Sequence, residues 1–315
     1  MLKGWLFFLG SFFLTASAFG VAPDVNGDGD QEFLLWNGAS GVFSAIDSSG
    51  RLFQRQCGLP GDIPLFSNLE GDARSEMTVW RPATQPGQPS TFYVCRDSGV
   101  ATVSLGSSGD RPFSQFDFDG DDRTDFTVYR PATAQWFISR SNQGGALDIR
   151  TWGQEGDVPV PGDYDGDGLA DIGVFRPSEG TWWIVQSATN SLKNVAWGLP
   201  HDIPVPPDYD GDNKADIATW RPHEGKWYIR PSLNENSPII RQFGLVEDVP
   251  IPTDMNGDGH DDLVIYRPYN GLVFWVTDPV GSTFALQLTT GFLGEVVPML
   301  SRNKLATGGD YDGDG

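Results

Sequence analysis

The chain has 315 residues, with 21 Lys and Arg against 42 Asp and Glu, a formal net charge of −21. A surface this acidic repels phosphate backbones and excludes nucleic acid as a partner. Hydrophobic residues at 39% and aromatic residues at 12% exclude an acidic disordered chain, and the 39 Gly and 23 Pro point to many short strands joined by turns.

Residues 1–18 read as a secretory leader. Lys3 supplies the positive n-region, Trp5 to Leu14 the apolar h-region, and Ala16-Ser17-Ala18 an A-x-A cleavage site. The apolar run is too short to span a bilayer, and no later segment is apolar enough. Residues 19–315 are therefore expected to be exported, either secreted or periplasmic and associated with the cell surface, with no membrane span. Cys57 and Cys95 are the two cysteines. They fall in neighbouring repeats, and export permits a disulfide. Two buried free thiols are the alternative.

An acidic loop then recurs along the chain. DVNGDGDQE starts at Asp24 and NLEGDARSE at Asn68. DFDGDDRTD starts at Asp117, DYDGDGLAD at Asp163, DYDGDNKAD at Asp208 and DMNGDGHDD at Asp254. A cut-off DYDGDG starts at Asp310. The starts lie 44, 49, 46, 45, 46 and 56 residues apart. A period near this length with strand patterning predicts propeller blades. Each unit reads as four strands. In one, GDVPVPGDY enters the loop from Gly156, ADIGVFRP follows from Ala170, GTWWIVQS from Gly180 and NVAWG from Asn194. No stretch has the spacing of a helix of 10 or more residues. Strands apolar on both faces need cover on both, and stacking twisted sheets around an axis supplies it. The expected fold is an all-β propeller of four-stranded blades, seven-bladed with the last blade truncated. Six blades are the alternative.

The loop follows D-x-D-G-D-G-x-x-D. Positions 1, 3, 5 and 9 carry carboxylate or amide oxygens, and position 7 offers a backbone carbonyl. The expected ligand sets are Asp24, Asn26, Asp28, Asp30 and Glu32; Asp117, Asp119, Asp121, Arg123 and Asp125; Asp163, Asp165, Asp167, Leu169 and Asp171; Asp208, Asp210, Asp212, Lys214 and Asp216; and Asp254, Asn256, Asp258, His260 and Asp262. The cut-off loop offers Asp310, Asp312 and Asp314. Such clusters of hard oxygen donors suit calcium, in about five sites with a sixth at the incomplete loop. Without a cation the carboxylates repel one another. Glycine holds position 4 in every copy, and position 6 is Gly, Asp or Asn in the good copies, residues that tolerate positive φ. The copy at Asn68 has Ala73 there and Glu70 at position 3, so it is expected to bind weakly or not at all. Flanking strands, and Val174 at position 12 of the clearest copy, rule out an EF-hand.

Two further motifs repeat. Aromatic-Arg-Pro follows the loop at Arg81, Arg130, Arg176, Arg221 and Arg267. Its recurrence favours scaffolding, with the arginine as a partner for loop acids or carbonyls. Aromatic-Gly followed by Asp-x-Pro includes Asp157, Asp202 and Asp248. Most of the 11 tryptophans fall at repeat-equivalent positions and read as core.

These units resemble the FG-GAP/VCBS repeats of bacterial secreted proteins and are similar to the calcium-bearing blades of integrin α-chain propellers. The resemblance covers nearly all of residues 19–315. It implies a calcium-stabilised propeller used in adhesion or in binding glycans or cell-surface proteins, and it carries over no catalytic residues. A carbohydrate-active enzyme, a polysaccharide lyase or hydrolase, is the alternative on the same scaffold. His201, His223 and His260 fit no metal or triad motif, so binding is the favoured reading. Ligand specificity is expected where the repeat breaks, near Thr289 to Gly309 and at Thr84 to Thr91.

Overall fold

Runs of aromatic and β-branched residues separated by Gly- and Pro-bearing turns fold back on one another as antiparallel hairpins. In the computed structural model they form six four-stranded sheets, each in meander order. The structure describes residues 12–14, 24–26, 33–46, 51–72, 74–255, 258–269, 272–277, 279 and 285–289. Blade 1 holds β1 (Phe12–Leu14), β2 (Phe33–Asn37), β3 (Val42–Ile46) and β4 (Leu52–Gln56). Blade 2 holds β5 (Ile63–Ser67), β6 (Glu76–Arg81), β7 (Thr91–Arg96) and β8 (Gly99–Ser104). Blade 3 holds β9 (Arg111–Phe113), β10 (Phe126–Arg130), β11 (Gln135–Arg140) and β12 (Ala146–Thr151). Blade 4 holds β13 (Val158–Pro159), β14 (Ile172–Arg176), β15 (Thr181–Val185) and β16 (Leu192–Ala196). Blade 5 holds β17 (Ile203–Pro204), β18 (Ile217–Arg221), β19 (Lys226–Arg230) and β20 (Ile239–Gln242). Blade 6 holds β21 (Val249–Pro250), β22 (Leu263–Arg267), β23 (Leu272–Val276) and β24 (Ala285–Thr289).

The fold is thus an all-β propeller of six blades, and the expectation of seven is corrected. Six times four strands account for every strand among the described residues. The residues of the incomplete seventh repeat lie outside them. The expected leader contributes β1, which pairs antiparallel with β2 through Phe13 and Trp36.

Burial follows position in the blade. The second strands are buried on both faces, as in β14 and β18, which is why they read as unbroken apolar runs. The third strands alternate, as in β15. The fourth strands lie largely exposed, as in β4 and β12. Apolar clusters fill the gaps between blades. Trp136 and Tyr129 of blade 3 pack with Ile172 and Val174 of blade 4, and Trp220 and Trp227 of blade 5 with Leu263 and Ile265 of blade 6. Truncating one of these fully buried tryptophans to alanine removes about 3–5 kcal/mol. Between blades 1 and 2 the joint is also covalent. Cys57 and Cys95 form a disulfide with their Cα atoms 5.9 Å apart. Closing a loop of 38 residues stabilises by about 4 kcal/mol in the chain-entropy account.

Because each blade is an antiparallel meander, its connections alternate between two ends. One end carries the acidic loops, between first and second strands, and the turns between third and fourth strands. The other end carries the remaining hairpins and the connectors to the next blade. There a clamp repeats five times. Arg81, Arg130, Arg176, Arg221 and Arg267 grip Asp62, Asp110, Asp157, Asp202 and Asp248 through two parallel hydrogen bonds of 2.8–3.0 Å. Each aspartate also accepts the backbone N–H three residues before it, as Asp157 does from Gln154. Each guanidinium lies over a ring of the third strand, for example Arg221 at 4.0 Å from the Tyr228 centroid. The arginines are scaffolding, as expected, but their partner is the Asp of Asp-x-Pro rather than a loop acid. In blade 1 Asn37 stands in their place, and its side chain caps its own turn through Ala39 and Ser40.

Candidate metal centre

The acidic loops build from their first residue. Asp163 Oδ1 accepts the N–H groups of Asp165 and Gly166, and its Oδ2 accepts that of Gly168. Asp117 repeats this pattern, and Asp208 accepts the N–H groups of Gly211 and Asn213 in the same way. The turn needs positive φ at position 6. There Asp122 has φ 60°, Asn213 63°, Gly168 84° and Gly259 87°, as the residue types predict. Position 4 also has positive φ, and it is crowded as well. A Cβ on Gly166 would stand 2.5 Å from Lys214 Cε, so the glycine leaves room for a side chain of the next loop. Arg123, Leu169, Lys214 and His260 each lie over the glycine of the preceding copy in this way.

The ninth residue ties the loop to its blade. Asp171 Oδ2 accepts the N–H of Tyr164, and Oδ1 accepts both the N–H and the hydroxyl of Ser187. Ser141 plays the same part for Asp125, and Ser232 donates its N–H to Asp216. These serines escaped the sequence reading. Their signal is a Ser 16 residues after position 9, and Ser48 stands at that offset in the first copy.

Three carboxylates converge in each of three loops: Asp117, Asp119 and Asp125; Asp163, Asp165 and Asp171; Asp208, Asp210 and Asp216. Within each trio the oxygens lie within 4.8 Å of one another. Position 5 does not join them. Asp121, Asp167 and Asp212 turn instead to the serine hydroxyls, at 2.8, 3.0 and 2.8 Å. In the loop at Asp254, Asp254 and Asp262 make the matching backbone contacts, with Gly259 and Met255. Asn256 lies outside the described residues, as do Asp28, Asp30, Glu32, Asp310, Asp312 and Asp314. In the first loop, Asp24 is buried and Asn26 half-buried.

The trios fit a hard divalent cation. Asp119 and Asp210 each hold one oxygen sealed from solvent with no hydrogen-bond partner. Burial pushes Asp171 up to about 6 and Asp216 up to about 8, against the backbone hydrogen bonds that favour ionisation. Burial likewise raises Asp125, Asp119, Asp165 and Asp210. A cation would reverse these shifts by supplying the missing positive charge.

The side chains of the loop at Asn68 are engaged within the protein. The Asn68 amide donates to the carbonyls of Asp72 and Asp122. Glu70 reaches Arg96 at 3.4 Å, and Glu76 accepts from Leu69 N–H and the Ser67 hydroxyl. Ala73 lies outside the described residues.

All six loops are linked in series. The N–H at position 8 donates to the carbonyl of position 1 in the preceding loop: Ser75 to Asp24, Thr124 to Asn68, Ala170 to Asp117, Ala215 to Asp163 and Asp261 to Asp208, at 2.6–2.8 Å. The three histidines take no part together. His223 is exposed 3.6 Å from Glu224, His260 covers Gly211, and His201 sits in a connector at φ 76°.

No family model matches the chain, and no curated protein is similar to it in sequence. Solved structures share its fold. An Agrocybe aegerita lectin that recognises non-reducing terminal N-acetylglucosamine aligns over 88% of this chain and 79% of its own, at 14% identity and a TM-score of 0.55. Virginiamycin B lyase from Staphylococcus aureus aligns over 89% of this chain and 88% of its own, at 11% identity and a TM-score of 0.52. At these identities the likeness is one of fold, a β-propeller that serves recognition in one relative and catalysis in another.

Proposed function

We propose that the protein is an exported calcium-binding propeller of the FG-GAP/VCBS kind that acts as a binding or adhesion module for glycans or cell-surface proteins. The observation that carries the calcium reading is the convergence of three buried or half-buried carboxylates in three successive loops, with orphaned oxygens on Asp119 and Asp210. Asp117, Asp119 and Asp125 would hold one ion, and the equivalent residues of the next two blades one each. The loops at Asp24 and Asp254 share the motif and extend the expectation to about five. Bound calcium supplies charge compensation and cross-linking, and the chain's own loops supply the geometry. The recognition role draws support from the lectin of like fold and from the use of most repeated residues in structure.

Two measurements test the reading. Elemental analysis after dialysis against calcium should give three to six ions per chain, and chelation should lower the melting temperature. A glycan array run beside a panel assay for polysaccharide cleavage separates binding from catalysis. Retention of a glycan without turnover supports a binding module, and turnover on any polysaccharide would replace it with an enzyme. An unchanged melt after verified metal removal would defeat the calcium assignment.

A further inference from the structure

The residue after Asp in the Asp-x-Pro segment opens each innermost strand, which lines the axis of a propeller. In blades 2, 4, 5 and 6 it is Ile63, Val158, Ile203 and Val249, each packed into the apolar cluster beside its blade. In blade 3 it is Arg111. This arginine is half-buried, and burial lowers its pKa. It makes no hydrogen bond or ion pair among the described residues. The neighbouring carboxylates are already committed, Asp110 to Arg130 and Asp157 to Arg176. Arg111 is therefore an uncompensated positive charge in a chain of net charge −21.

A second polar group faces the same place. Tyr129 is the register partner of Arg111 across β9 and β10, so the two side chains stand on one face of the blade. Its ring is fully buried, yet its hydroxyl has no hydrogen-bond partner. Burial, with Asp157 nearby, pushes that hydroxyl up to about 12, so it stays a neutral donor. In the matching place blades 2, 4, 5 and 6 have Trp80, Phe175, Trp220 and Tyr266. Arg111 is the departure from the repeat, and it stands beside a phenol that has no partner of its own. Together they offer the guanidinium fork and one O–H donor, a set that matches an acceptor with two oxygens in a plane.

We propose that Arg111 and Tyr129 form a carboxylate-binding site at the inner wall of blade 3, taking a single carboxylate group carried by an acidic sugar or a chain terminus. The site is separate from the acidic loops and does not depend on their occupation by calcium.

Calorimetric titration of the intact protein tests it, at fixed ionic strength, with sodium acetate, sodium glucuronate and a short peptide ending in a free carboxylate. Saturable binding of at least one probe is expected. Arg111→Val should weaken it at least tenfold, and Tyr129→Phe about threefold. Arg111→Val should melt at or above the native temperature, because Val158 and Val249 occupy the same place in other blades. Binding of acetate shows that the group alone suffices. Binding of glucuronate alone assigns an acidic sugar, and of the peptide alone a chain terminus. The proposal falls if no probe saturates the native protein, if sodium chloride competes at equal concentration, or if Arg111→Val binds as tightly as native. It also falls if Arg111→Val melts lower and Arg111→Lys restores the melt without binding, since the cation would then be structural.

Discussion

Ala170 donates its backbone N–H to the backbone carbonyl of Asp117 over 2.7 Å. Asp117 belongs to the loop of blade 3 and Ala170 to that of blade 4. One residue therefore places its carboxylate in its own loop's trio and its carbonyl in the joint with the next blade. Ordering a loop and fastening two blades are the same event here. Ala170→Pro removes the donor and orphans the Asp117 carbonyl. A loss of about 3 kcal/mol is expected, read in urea unfolding, together with weaker calcium uptake. Unaltered stability would mean that the apolar gap alone holds the blades.

Metal stoichiometry should follow the trios. Asp165→Ala and Asp210→Ala each remove a carboxylate that converges on two others, and each should cost one ion per chain in elemental analysis. Glu70→Ala should cost none, because Glu70 is engaged with Arg96. Loss of an ion in the Glu70 variant would overturn this division of the loops.

Stability of the chelated protein should fall as pH rises. Asp171 and Asp216 stand at about 6 and about 8 in the fold, chiefly through burial, whereas an unfolded aspartate ionises near about 3.9. A folded value above the unfolded one means that the protonated carboxyl favours the fold. The contribution is complete below pH 4 and is lost as pH climbs through 6 to 8. In EDTA the melting temperature should be higher at pH 5 than at pH 8, and added calcium should remove that difference. A melt in EDTA that improves toward pH 8 would contradict the burial of these groups.

The clamps should matter for stability and not for metal. Asp157 is buried against the two nitrogens of Arg176. Arg176→Ala leaves that carboxylate without its partner, and a loss of about 3–5 kcal/mol is expected. Arg176→Lys keeps the charge but not the fork and should lose less. Both variants should bind the native number of ions, which elemental analysis checks.

Much of the fold is legible in the sequence because repetition multiplies a weak local signal. One acidic turn is ambiguous, but Asp122 and Asn213 at a position held elsewhere by glycine reveal a left-handed backbone from residue type alone. The blade count is not legible, since an inner strand can come from residues that also read as a leader, as Phe13 does opposite Trp36. The partners of the repeated arginines are hidden too. Arg176 and Asp157 sit 19 residues apart, in two motifs that each look complete alone. Ser187 is concealed in the same way, one hairpin away from the loop it serves. Position 5 reads as a ligand in the motif but stands outside the trios, because spacing cannot tell a carboxylate aimed inward from one held by a hydroxyl.

The clamps and the loops also give the molecule an electrical axis. At the clamped end each of five buried aspartates is neutralised by its own guanidinium, so those carboxylates have no charge left for an added cation. At the loop end the trios are held by N–H groups and hydroxyls, which leave their negative charge uncompensated. Divalent ions bound at the trios as proposed would recharge one pole and pass over the other, and the strength of the dipole along the axis would track their concentration.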